Sequence, residues 1–179
     1  MLGRHLDPPT GRDRSGYIGP ALPAVVVARP ASRLAYVRVR NPWQGNHLAD
    51  GYAQLTDWLA RRRVDASTGD LVGLSWENAK ATPVDRLTYD LAVTVGPGVT
   101  PDGAIGIHEL PAVRAVEVHC QSLRETATAW NYLYGCWIPA SSYEPADGPA
   151  LKRFRHRPEV LDDQAWNVDC SVALRSRWP

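Results

Sequence analysis

Glu117 and His119 stand two apart in the run Val113 to His119. In an extended chain that spacing puts both side chains on one face, with Val116 and Val118 on the other. A carboxylate beside an imidazole is either a proton-transfer pair or a structural polar network. Other chemistries leave no trace. No Ser/His/Asp order stands out, and Gly96-Pro97-Gly98 lacks the lysine and following helix of a phosphate cradle. Cys120, Cys136 and Cys170 are odd in number and widely spaced, with no Cys-x-x-Cys, so they read as structural thiols rather than zinc ligands or a disulfide framework. Neither a metal nor a cofactor is expected.

The elements that would position such groups are legible from apolar periodicity. Val25 to Val27 and Leu34 to Arg40 read as strands, the second alternating Val37 and Val39 against Tyr36, Arg38 and Arg40. Leu48, Tyr52, Leu55 and Leu59 form one helical stripe, predicting a helix from about Leu48 to Arg62. Strands follow at Leu71 to Glu77 and Leu87 to Val95. Beyond a Gly/Pro-rich connector, Gly96 to Gly103, the order repeats. Strands are expected at Ile105 to Ile107, Val113 to His119, Ala150 to His156 and Trp166 to Leu174. The helix expected between them, Leu123 to Cys136, presents Trp130, Leu133, Tyr134 and Trp137 on one stripe.

That repetition has a constant offset. Sliding the chain by 79 residues places Trp58 on Trp137, Val37 and Val39 on Val116 and Val118, Asp90 on Asp169, and Val93 on Val172. The fold class expected is α+β, a tandem duplication of strand, strand, helix, strand, strand. Residues 23–179 then form one domain with halves at about 23–97 and 104–175. Residues 1–22, rich in Pro, Gly and charge, read as a flexible tail.

Composition excludes several functions. The chain has 179 residues, 44% hydrophobic and 22% charged, with 20 basic against 19 acidic residues. Near-neutral charge offers no long basic field for nucleic acid. Arg61 to Arg63 closes the first helix, where cations suit the dipole. No apolar run is long enough for a membrane span, and the start lacks a secretory signal, so a cytoplasmic protein is expected. Seven Trp against one Phe favours a core or a pocket for flat ligands.

Three motifs together resemble GyrI-like domains. They are Tyr36-Val37-Arg38 with Asn41-Pro42-Trp43; Gly73 to Trp76 with Thr82-Pro83 and Leu87 to Asp90; and Trp137-Ile138-Pro139 with Tyr143-Glu144-Pro145 and Asp147-Gly148-Pro149. The resemblance covers about residues 24–175. It implies a pseudo-twofold antiparallel sheet with two main helices around a central cleft, and a small organic molecule, aromatic or amphipathic, as partner. Sequestration or sensing would follow. Relatives also include hydrolases of strained cyclopropane-bearing genotoxins and gyrase inhibitors, which are the alternative functions. Regulators of this kind carry a helix-turn-helix, which is not expected here, so no direct DNA binding is expected. A homodimer stays open.

On that resemblance the ligand-binding candidates are Tyr36, Trp43, Ser75, Glu77, Trp130, Trp137, Lys152 and Phe154. Trp137 and Trp58 also read as matched core anchors, and Trp76 as packing. Relatives commonly keep a buried Glu where this chain has Lys152, which turns the expected preference from cationic towards anionic or strongly polar ligands. If Lys152 points into the cleft, alternation brings Ala150, Phe154 and His156 with it, and the offset nominates Leu71, Gly73, Ser75 and Glu77 opposite. Glu77, Glu117 and His119 are the catalytic candidates should the protein be an enzyme. Arg38 is the expected partner of Glu117 across the pseudo-axis, and His108 reads as an ordinary strand residue.

Overall fold

The computed structural model describes residues 19–66, 69–77, 82–155 and 167–178. The expected tail therefore lies almost wholly outside the described residues, as do His156 and Trp166. Nine strands form one antiparallel sheet: β1 (Ala24–Arg29), β2 (Ser32–Arg40), β3 (Leu71–Ser75), β4 (Thr88–Thr94), β5 (Ile105–Leu110), β6 (Val113–Cys120), β7 (Tyr143–Pro145), β8 (Ala150–Phe154) and β9 (Val168–Ser176). Their spatial order is β1-β6-β9-β8-β3-β4-β2-β5, with the short β7 added to the far end of β9. The α+β class is as the residues predicted. The expected offset carries Leu71–Ser75 onto Ala150–Phe154 residue for residue.

The first strand of each chain segment crosses to the other. β1 pairs with β6, and β5 pairs with β2. Where the segments meet, β3 pairs with β8 and sets Gly73 opposite Lys152.

The helix α1 (His47–Arg62) packs on β2 and β4, and α2 (Thr126–Tyr132) on β6 and β9. Their apolar stripes close the main core. Tyr52, Leu55, Trp58 and Leu59 meet Val37, Val39, Leu91 and Val93, while Ala129, Tyr132 and Leu133 meet Val116, Val118 and Val172. Fully burying a Leu or Val side chain of this kind contributes roughly 1.5–3 kcal/mol. Both helices cover the same face of the sheet. The other face has its own smaller apolar cluster, Leu34, Val72, Leu74, Ala92, Leu110 and Leu151.

Two expectations change. α2 does not run on as a plain α-helix, because Leu133–Trp137 winds as a π-turn before a last α-turn, Ile138–Ala140. A π-turn admits an extra residue per turn, which rotates the stripe. Trp137 and Ile138 are thereby both buried, and Tyr134 is turned outward. β3 ends at Ser75 rather than Glu77, since Trp76 and Glu77 give their side chains to β4 instead of continuing the ladder. Among the described residues no helix is long and apolar enough to cross a membrane.

Candidate functional site

The β3–β8 pair lies between the strands that α1 and α2 cover. On that helix-bearing face the strip consists of Leu71, Gly73 and Ser75 beside Phe154, Lys152 and Ala150. Burial grades along it. Leu71 and Phe154 are closed into the core, whereas Ser75, Ala150 and Lys152 stay half-buried. The strip is thus open at one end only.

Lys152 occupies the open part. Its Nζ lies 5.4 Å from the centroid of the Trp43 ring and 5.8 Å from that of Tyr89. The two rings are 5.8 Å apart and tilted by 51°, so they adjoin one another and the ammonium sits in the notch that both face, at the third corner of a near-equilateral triangle. The local sequence explains the notch. Asn41 ends β2 at φ 47°, a left-handed conformation that Asn tolerates, and its N–H donates to the Leu87 carbonyl at 2.9 Å. That bond ties the Asn41-Pro42-Trp43 turn to the entrance of β4, two residues before Tyr89. Trp43 is held there with 57% of its surface exposed.

Tyr89 crosses from β4 over Gly73, where a β-carbon would overlap its hydroxyl and ring. A glycine inside a strand commonly marks such a close approach. From the other side, Cys170 pairs with Lys152 in register, and its Sγ lies 4.0 Å from that of Cys120. The notch floor is therefore thiol and aromatic.

The electrostatics follow from burial. Desolvation pulls the Lys152 ammonium below the ordinary lysine value, and the two thiols only partly oppose it. Burial pushes the Tyr89 phenol up, so it stays protonated. The Cys170 hydrogen bond draws the Cys120 thiol down, while that same bond and burial push Cys170 up. Among the described residues Lys152 has no ion-pair partner.

The opposite face holds two carboxylate networks. Asp90 is fully buried and accepts Arg38 Nε at 2.7 Å, Arg38 Nη2 at 2.8 Å, Trp76 Nε1 at 2.9 Å and a bond with His108 Nε2 at 2.9 Å. Asp169, its partner at the 79-residue offset, is bonded to His119 Nδ1 at 2.9 Å and to Arg153 and Arg155 at 3.0 to 3.1 Å. Burial alone would raise both carboxyls, but the guanidinium and histidine bonds outweigh it and hold each below the usual range. Arg38 is raised in turn, chiefly by its bond to Asp90.

The structure brings some of the expected site residues together and separates others. Trp43, Ser75, Lys152 and Phe154 share the helix-bearing face at the central pair. Tyr36 is on the other face, stacked on His108 at 3.8 Å and lying over Gly106. Glu117 and His119 are there too, bonded to Arg153 at 3.3 Å and to Asp169 respectively, so the expected Arg38–Glu117 pair gives way to Arg38–Asp90. His108 is no ordinary strand residue but part of the Asp90 network. Glu77 accepts from Thr88 Oγ1 at 2.6 Å, and Thr88 shares its strand face with Asp90, so Glu77 and Lys152 do not meet around one cavity. Trp137 is buried and stacks on Tyr143 at 6.3 Å, a core position, while Trp130 is half-buried beside Tyr134.

Tyr89, Cys120 and Cys170 were not among the expected site residues, and Gly73 was nominated only as one of the residues opposite Lys152, not as the space that Tyr89 fills. A glycine in mid-strand was the one signal for that close approach.

Comparison with known proteins follows the same lines. The sequence model of the GyrI-like small molecule binding domain matches residues 25–175. A DNA gyrase inhibitor of Edwardsiella piscicida is 27% identical over 156 residues, covering 81% of this chain and 93% of its own. One from Enterobacter lignolyticus (strain SCF1) is 26% identical over 141 residues, 76% of this chain and 86% of its own. Among solved structures, the EcmrR C-terminal domain superposes with a TM-score of 0.63 at 14% identity, covering 86% of this chain and 97% of that one. The chain spans 57% of the longer EcmrR chain seen in a DNA complex. At such identities the structural likeness is one of fold.

Proposed function

The chain belongs to the GyrI-like small molecule binding domain family, and on that premise we propose that it binds a small aromatic or amphipathic organic molecule in the furrow over β3 and β8, for sequestration or sensing. The observation that supports this is the Trp43–Lys152–Tyr89 notch, a half-open apolar slot with one polar group at its centre. A flat ligand would lie against the exposed face of Trp43, with Tyr89 and Phe154 as deeper walls. Thermal-shift screening against a panel of aromatic compounds of every charge type tests it. Ligand-dependent stabilisation that is reduced in Trp43→Ala is the expected result; no stabilisation by any compound would defeat the reading.

The two relatives described as DNA gyrase inhibitors favour a second reading, in which the chain acts on gyrase as an interaction protein. A supercoiling assay with purified gyrase tests it directly. Unchanged supercoiling at a large excess of this protein removes that reading and leaves the first untouched.

A further inference from the structure

We propose that Lys152 makes the furrow selective for aromatic ligands bearing an anionic group, a carboxylate above all. This rests on the small-molecule reading of the same site and adds the charge of what enters it.

A lysine ammonium inside a protein is ordinarily matched by a carboxylate. Among the described residues no carboxylate is paired with Lys152. Ten ion pairs join other described residues, and the Lys152 ammonium faces the rings of Trp43 and Tyr89 instead. Among the described residues the buried carboxylates lie elsewhere: Asp90, Asp169 and Glu117 are bound by Arg or His on the opposite face, and the half-buried Glu77 accepts from Thr88 there. Beneath it lie the mutually bonded Cys120 and Cys170.

Cation–π contact compensates an ammonium for lost water only in part. Two aromatic faces plus an unanswered positive charge define a ligand with the complementary pair of features, a flat apolar frame and one negative group. The approach to the ammonium is from the rim. Lys152 is half-buried, and Trp43, which forms one wall, is mostly exposed. A carboxylate at the mouth would bond Nζ while its ring replaced water against Trp43. In the partly dry notch such a charge-assisted bond is stronger than a neutral one.

The test uses three probes of one shape and three charges: 2-naphthoate, 2-naphthamide and 2-naphthylmethylammonium, titrated calorimetrically and by Trp fluorescence. Naphthoate is expected to bind about tenfold or more tighter than the amide, with the ammonium weakest. In Lys152→Met the naphthoate advantage disappears while amide affinity holds, and in Lys152→Glu the order reverses towards the ammonium. Lys152→Arg keeps the original order and guards against variants that fail to fold. Equal binding of naphthoate and amide by the unaltered protein overturns the proposal but leaves small-molecule binding standing. Failure of all three probes to bind overturns both.

Discussion

The Tyr89 ring lies across Gly73, in the space a β-carbon on residue 73 would need, and reaches from β4 to the flank of Lys152 on β8. One missing methyl group therefore decides where an aromatic wall of the notch can stand. Gly73→Ala should force Tyr89 out of this position and destabilise the protein by about 1–3 kcal/mol, as overpacking does. Urea denaturation of Gly73→Ala, Tyr89→Ala and the double variant forms the check. The losses should be strongly non-additive, because the residues share one volume.

Trp43 contrasts with this. Being mostly exposed, it contributes little to folding, so Trp43→Ala should change stability by no more than about 0.5 kcal/mol. Binding of an aromatic ligand should nonetheless weaken by about two- to tenfold, the range of one aromatic pair. Thermal denaturation and ligand titration of the same preparation separate the two effects.

Asp90 and Asp169 predict the acid limb of stability. Both are held below their unfolded values, so their stabilisation is complete above about pH 4 and is lost as pH falls through the folded values. Asp90→Asn should cost about 1.5–3 kcal/mol at neutral pH, the scale of hydrogen bonds to charged groups. Its penalty should shrink on acidification, when the native carboxylate too becomes protonated. Urea midpoints between pH 3 and 7 measure this.

Lys152 gives a slope of the same sign but with the opposite effect of the charge at neutral pH. Its folded pKa lies below the unfolded one, so the unfolded chain holds the extra proton and the charge opposes folding at neutral pH. Lys152→Met should raise Tm near pH 7, with the gain narrowing as pH climbs towards the ordinary lysine value. Comparing the variant with the parent at each pH cancels the titration of Tyr89, which faces the same notch. A lower Tm in Lys152→Met at neutral pH would show that the cation–π contacts outweigh desolvation.

Much of this could be read from residue order. Apolar period located α1 and eight strands to within a few residues, because Leu55 and Leu59, or Val37 and Val39, have one buried side to face. Faces were harder to assign. Both sides of β2 carry apolar groups, Leu34 and Tyr36 on one and Val37 and Val39 on the other, so alternation divided the residues without saying which set met the helices. Tyr36 was accordingly expected at the cleft and stands behind it. Lys152 and Trp43 were placed together through family resemblance rather than period. The three-residue β7 and the π-turn at Leu133–Trp137 carry no periodic mark, since each depends on long-range packing. Tyr89, though visible as a strand residue, acquires its role only through Gly73 across the ladder.

The crossing of the first strands has a mechanical consequence. Prising the two chain segments apart along the seam at Gly73 and Lys152 would not be enough, for β1 would still be zipped to β6 and β5 to β2. Three ladders resist that motion in parallel, two of them at the outer margins of the sheet. The base of the notch consequently behaves as a stiff plate. On the proposed binding reading, a guest would be admitted by swinging side chains at the rim, Trp43 foremost, and not by any parting of the strands beneath it.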